Sequence, residues 1–158
     1  MAYDCGFEKE EFWFRYRTGA IIVKDRKMLF VQCMYGGYYY MIGGGVHLGE
    51  TSEECIEREV FEETGLRLKA ERPAIICENF FPGKGGLIDG KNCHELEFYY
   101  RMQDPADFDV QQMTDANEKL VWLPIDKFDE YDIRPSILKS KLREAIDGAP
   151  LMHIVSQE

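Results

Sequence analysis

Seven glutamates fall between Glu50 and Glu63, in the stretch ETSEECIEREVFEE. Carboxylates at this density can hold a divalent cation or move protons, and their spacing decides which of them act together. Thr51 followed by Glu54 forms a capping box, and Gly65 suits the position just past a helix end, so the spacing predicts a helix over Thr51 to Thr64. With Glu59 set to zero, Glu63 lies at about +40° and Glu62 at about −60° around that helix, among Cys55, Ile56 and Val60. Glu59, Glu62 and Glu63 are therefore expected on the apolar arc. Glu54, Glu57 and Arg58 are expected in solvent, and Phe61 stands alone as an apolar residue on the far side. A solvated face accounts for Glu53, Glu54 and Glu57. It does not account for the other three, two of which also oppose the helix dipole. A bound cation removes both objections, and oxygen-only donors indicate Mg²⁺ or Mn²⁺ rather than zinc.

The elements that would position this helix are readable on both sides of it. Arg17 to Lys24 and Met28 to Met34 form strands around the polar turn Asp25-Arg26-Lys27, and Tyr38 to Ile42 is a short strand running into the glycines before the helix. Ala74 to Phe80, His94 to Met102 and Lys119 to Leu123 are further strands. In His94 to Met102, Leu96, Phe98 and Tyr100 alternate with Glu95, Glu97, Tyr99 and Arg101. Pro82 to Asn92 is a glycine-rich loop. Pro135 fits the first turn of a second helix with the stripe Ile137, Leu138, Leu142 and Ile146, and Leu151 to Val155 forms a last strand. Several strands with two helices among them predict an α/β fold, a mixed sheet covered on both faces.

The bulk numbers narrow the function. A chain of 158 residues with 45% hydrophobic and 30% charged content is expected to be a single domain, 1–158. A net charge of −10 argues against binding a nucleic-acid polymer, and an anionic substrate would need a cation as mediator. No apolar run is long enough to cross a membrane, and MAYDCGFEKEEFWF lacks the basic-then-apolar layout of a signal peptide. Five cysteines with no CxxC pair predict a reducing cytoplasm, with Cys33, Cys55 and Cys77 as buried filler.

Gly44, Glu50, Arg58-Glu59, Val60, Glu62-Glu63, Gly65 and Leu66 fill every position of the pattern G-x5-E-x7-R-E-U-x-E-E-x-G-U, where U is aliphatic. Seven of those positions need one residue type, a chance match on the order of 10⁻⁹. The chain thus resembles the Nudix hydrolases, the MutT-like family, with its box at 44–66. The flanks FWFRYRTGAIIVKDRKMLFVQ, YYYMIGGG and LVWLPIDKF are similar to the family as well. The resemblance implies an α/β/α sandwich with a central mixed sheet, in which the box is a loop–helix–loop. It implies hydrolysis of a nucleoside diphosphate linked to another group, with water attacking one phosphorus. Glu59 and Glu63 match the main metal ligands, Glu62 a further ligand or base, and the Gly44 carbonyl a backbone ligand. Arg58 matches the residue that orients the glutamates and Glu50 one that holds the box loop. Taken alone, Arg58 and Glu62 are an i,i+4 surface pair and Glu50 a loop carboxylate.

Outside the box, Glu118 is a candidate general base, at a place where the family often has a loop glutamate. Glu95 and Glu97 are alternatives, and plain solvation also explains all three. Arg15, Arg17 and Arg101 are candidate phosphate contacts that also suit an ordinary surface. One of Phe12, Trp13, Phe14 and Tyr16 is a candidate to stack on a base. His47, His94 and His153 show no ligand or triad spacing. The expected partner is a small nucleotide: a (d)NTP, a damaged nucleotide or an ADP-ribose-like compound, the last suggested by Pro82. The chain is expected as a monomer or homodimer. The rival reading is a noncatalytic nucleotide sensor of the same fold, from which box glutamates would be expected to be missing.

Overall fold

A computed structural model describes residues 2–106, 113–115 and 118–158. Strands β1 (Gly6–Lys9), β2 (Phe12–Ile21), β3 (Val23–Lys24), β4 (Lys27–Cys33), β5 (Tyr39–Tyr40) and β6 (Gly43–Gly45) precede helix α1 (Ser52–Thr64). Then come β7 (Ala70–Pro82), β8 (Asn92–Met102), β9 (Met113–Asp115), β10 (Glu118–Pro124), helix α2 (Leu138–Ile146) and β11 (Met152–Gln157). The strands divide between two sheets rather than forming one. The mixed sheet runs β1-β2-β8-β7-β11 with β6 beside β2, and its parallel pairs are β2 with β8 and β7 with β11. The other sheet is antiparallel, β3-β4-β10-β9 with β5 beside β4.

Helices cover both faces of the mixed sheet because successive residues of a strand point opposite ways. Ala20, Ile22, Tyr100 and Met102 pack with Ile56 and Val60 of α1. Ile21, Ile75, Cys77 and Tyr99 pack with Leu138, Leu142 and Ala145 of α2. Fully burying side chains such as Ile56 and Val60 contributes about 1.5–3 kcal/mol each, which anchors α1 by its apolar stripe.

Helix α1 has the expected ends. Thr51 Oγ1 accepts from the Glu54 N–H at 3.1 Å, and Glu54 Oε2 accepts from the Thr51 N–H at 2.8 Å. Gly65 closes the helix in the left-handed region, φ 78°, where a glycine carries no Cβ penalty. The strands also appear close to where the alternation places them, but β7 is longer than Ala74 to Phe80. Pro135 precedes α2 instead of lying in its first turn, and its carbonyl accepts from the Leu138 N–H. Cys55 and Cys77 are buried as expected, while Cys33 is only half-buried.

The largest departure is in β8. Glu95 and Glu97 are 6% and 2% exposed, not solvated. The reason is topological: β8 lies between β2 and β7, so Glu95 and Glu97 stand beside Arg17 of β2 and Asn79 of β7 rather than in open solvent.

Candidate active site

The loop before α1 and the helix itself meet at one arginine. Arg58 donates to both oxygens of Glu50, Nε to Oε1 at 2.7 Å and Nη2 to Oε2 at 3.0 Å. Its Nη1 donates to Glu59 Oε1 at 2.9 Å and to Glu62 Oε2 at 3.2 Å, and Nη2 reaches the Gly45 carbonyl at 3.2 Å. Glu50 also accepts from the His47 N–H at 2.9 Å, tying the loop to the same node. The Arg58 hydrogen bonds hold the Glu50 carboxyl below the usual carboxylate range, and Glu50 in turn raises the guanidinium. Arg58 is thus half-buried instead of facing solvent, and the Glu57 carboxylate turns to the Lys69 ammonium and the Ala70 N–H. Glu62 leaves the apolar arc: its side chain is 54% exposed, drawn outward by the i,i+4 pair with Arg58. Phe61 has the Arg67 guanidinium 4.0 Å over its ring as cover.

Glu59 and Glu63 stay on the inner side. A Cβ on Gly44 would stand 2.4 Å from Glu59 Oε1, so only glycine lets the carboxylate lie against that backbone. Glu63 Oε2 is buried with no hydrogen-bond partner among the described residues. Burial, followed by the charge of Glu59, pushes the Glu63 carboxyl up to about 8, against the pull of Arg17. The like-charge crowding expected of three glutamates therefore narrows to one, because Arg58 partners Glu59 and Glu62. Among the described residues, no three His, Cys, Asp or Glu side chains already converge as a cage. An orphaned carboxylate oxygen beside a second carboxylate packed on a glycine nevertheless fits a hard divalent cation.

Glu118 joins this group from the other sheet. Tyr40 Oη donates to Glu118 Oε1, across β4, which lies between β5 and β10. The Glu118 charge also raises the Glu63 carboxyl, and burial with Glu118 raises the Tyr40 phenol. Tyr40 and Arg17 then lead into a cavity of about 580 Å³, which Asn79, Phe81, Glu95 and Glu97 also line. That is the volume of a small-molecule site. Pro82 is among the residues that line it. Arg17 pairs loosely with Glu95 at 3.9 Å, and Arg15 is half-buried; neither is a fully exposed arginine. Arg101 is engaged with Asp104 and the Ile21 carbonyl. The aromatic residues expected to stack on a base do not line this cavity. Phe14 packs on Phe7 and His94, and Tyr16 packs on Phe98, while Tyr38, Tyr40, Phe81 and Tyr99 form the cavity wall instead.

Burial pushes the Glu97 carboxyl above its ordinary value, against the attraction of Arg17 and with the repulsion of Glu95. A carboxyl raised in the fold favours the protonated native state. Its contribution is complete below 4.5, the ordinary value, and is lost as pH rises from there toward neutrality. Urea unfolding of the metal-free protein across that window should show a loss of stability that Glu97→Gln, with no proton to release, reduces. Parallel pH profiles of parent and variant would remove Glu97 as the titrating group.

A model of the NUDIX domain matches residues 13–142, most of the chain. The chain belongs to the Nudix family. It is accordingly a hydrolase of the pyrophosphohydrolase class. A MutT-like protein of Streptomyces ambofaciens is 24% identical over 132 residues, 84% of this chain and 76% of that protein. The NAD-capped RNA hydrolase NudC of Haemophilus influenzae is 53% identical over 34 residues, but that match spans 22% of this chain and 13% of the relative. In fold, a mutator MutT protein from Bacillus halodurans superposes with a TM-score of 0.67 at 20% identity, over 88% of this chain and 86% of that one. The expected α/β Nudix architecture with a mixed sheet is the one found.

Proposed function

We propose that this Nudix chain hydrolyses a pyrophosphate bond in a nucleoside diphosphate linked to a second group, using a divalent cation, Mg²⁺ or Mn²⁺. The observation that carries this reading is the unpartnered, buried Glu63 oxygen beside Glu59 and Gly44, next to a cavity of nucleotide size. Glu59, Glu63 and the Gly44 carbonyl would hold the cation, with Glu62 as an outer carboxylate free to swing from Arg58. When bound, the cation supplies charge neutralisation at the phosphate oxygens and activation of water.

The chain's own side chains do the rest. Arg58, fixed by Glu50, positions Glu59 and keeps Glu62 close. Glu118 accepts the proton of the attacking water, a role supported by the hydrogen bond from Tyr40 Oη that holds its carboxylate. The wall of Tyr40, Phe81 and Tyr99 seats the nucleoside, whether the substrate is a (d)NTP, a damaged nucleotide or an ADP-ribose-like compound. The noncatalytic sensor reading loses ground because every box glutamate is present and the charge of Glu118 acts on Glu63. The five free thiols suit a reducing cytoplasm, and among the described residues no helix is long and apolar enough to cross a membrane.

A panel of nucleotides incubated with Mg²⁺ or Mn²⁺ in ¹⁸O-labelled water tests the proposal. Label should enter one phosphate-containing product, and its identity marks the phosphorus attacked. Failure to turn over any nucleoside diphosphate derivative with either metal would sink it.

A further inference from the structure

Arg15 and Arg17 stand apart from the chain's other arginines. Arg26, Arg58, Arg72, Arg101, Arg134 and Arg143 each donate to a carboxylate or carbonyl oxygen, and Arg67 lies over Phe61. Among the described residues neither Arg15 nor Arg17 makes a hydrogen bond, and the 3.9 Å from Arg17 Nε to Glu95 is too long for one. Each Nε is closed off, but the outer nitrogens are not: both side chains are half-buried, and that of Arg17 is 17% exposed where it lines the cavity. Two residues apart in β2, the pair shares one face of the strand, with about 6.6–6.8 Å between the Cα atoms. The two arginines flank the inner carboxylates of α1. A Cβ on Gly45 would stand 3.2 Å from Arg15 Nε, so Arg15 lies against the glycine next to the one that Glu59 packs on. Glu59 attracts Arg15, and Glu63 attracts Arg17.

The cavity wall includes Arg17 and not Arg15. A nucleoside seated there, with its phosphates running over Glu63 and Glu59, meets Arg17 first and Arg15 last. Asp4, Glu95 and Glu97 also attract these guanidinium groups, but none of them takes a hydrogen bond from either. The outer donors are therefore free for an anion. A guanidinium presents its donors as a planar fork that matches phosphate oxygens, and it stays charged at any working pH. The Cα spacing exceeds the separation of neighbouring phosphorus atoms in a diphosphate and suits the two ends of a triphosphate. A sugar at Arg15 would occupy its donors with hydroxyls and leave its charge uncompensated. We propose that Arg17 and Arg15 are specificity-determining residues that hold the two ends of a triphosphate chain, so that the substrate is a nucleoside triphosphate rather than a nucleoside diphosphate sugar. The proposal rests on the reading of Glu59 and Glu63 as cation ligands beside the nucleoside cavity.

Calorimetric titration of the full chain with tripolyphosphate and pyrophosphate, in excess Mg²⁺, tests it without a nucleotide or a catalytic step. Tripolyphosphate should bind at least about tenfold more tightly, because only the longer chain reaches both arginines. Arg15→Gln and Arg17→Gln should each bring the two anions to within about twofold of each other. Arg15→Lys and Arg17→Lys keep the charge and lose the fork, so each should cut the preference by at least about threefold. Arg101→Gln removes the same charge from a guanidinium engaged with Asp104 and should leave the parent's preference in place. Equal binding of the two anions by the parent, no detectable binding of either, or a preference undiminished in the Gln variants (in the Lys variants, should the Gln ones not fold) overturns the proposal. In the nucleotide panel, a higher kcat/KM for a nucleoside diphosphate sugar than for the matching triphosphate also overturns it, and leaves the hydrolytic reading standing. The expected anion preference without turnover of any nucleotide would instead support the arginine assignment and fail the hydrolytic reading alone.

Discussion

Glu63→Gln and Glu59→Gln should each lower turnover on the best substrate by at least ~100-fold while the fold persists. Gln keeps the shape of Glu and removes one negative charge. One Glu63 oxygen has no partner among the described residues, and Gln keeps an acceptor oxygen for the Gly43 N–H, so the substitution gives up only the attraction to Arg17. A neutral side chain there also removes a repulsion with Glu59 that raises the Glu63 carboxyl. Glu59 is different, since Arg58 Nη1 donates to it at 2.9 Å, but Gln retains an acceptor oxygen for that contact. The two variants therefore separate a role in chemistry from a role in architecture. Steady-state kinetics alongside circular-dichroism melts would show it. Parent-like turnover in both variants would mean that neither carboxylate holds the catalytic cation.

Much of this site is legible in the chain because its determinants are local. Thr51 with Glu54 and Gly65 mark both ends of α1 through contacts within a few residues, and the placement of Glu59 and Glu63 follows from helical geometry. Glu62 shows where that geometry stops. Its Cα lies on the predicted arc, but a long side chain follows its partner, and Arg58 one turn earlier pulls it into solvent. Arg58 itself is misplaced by periodicity alone, because the loop carboxylate Glu50 and the Gly45 carbonyl draw it inward.

The cavity is the less legible part. Alternating Glu95 and Glu97 in β8 has the same pattern as a solvated strand face, and only the order of strands decides that this one is central. Asn79 has no motif around it, and nothing local to it marks that it lies opposite Glu95 in the ladder. Tyr40 and Glu118 are 78 residues apart and meet only because β4 pairs with both of their strands. Neither residue predicts the other without that topology. The FWFRY segment looks like a stacking surface by composition, yet Phe14 and Tyr16 are taken up in packing against Phe7, His94 and Phe98.

Mg²⁺ or Mn²⁺ should raise the melting temperature of the parent protein by several degrees, and Glu63→Gln should abolish most of that response. A ligand that binds only the native state stabilises it by RT ln(1 + [L]/Kd), about 2.7 kcal/mol at one hundred times Kd. For a chain of this size each kcal/mol is worth about 2–4 °C. The metal-free comparison carries the sharper information. Glu63 is half-buried, with one oxygen unpartnered among the described residues, and is repelled by Glu59, so removing its charge should leave the metal-free melting temperature equal to the parent's or higher. Glu59→Gln should melt below the metal-free parent, because it weakens a charge-assisted bond to Arg58 that no cation supplies. Differential scanning fluorimetry of the three proteins at fixed ionic strength, with EDTA or excess metal, gives six melting temperatures to compare. A metal-free Glu63→Gln variant that melts well below the parent would show that this carboxylate has a structural partner. A full metal response in that variant would place the cation elsewhere, and the close approach of Glu59 to Gly44 would then need a cause other than cation binding.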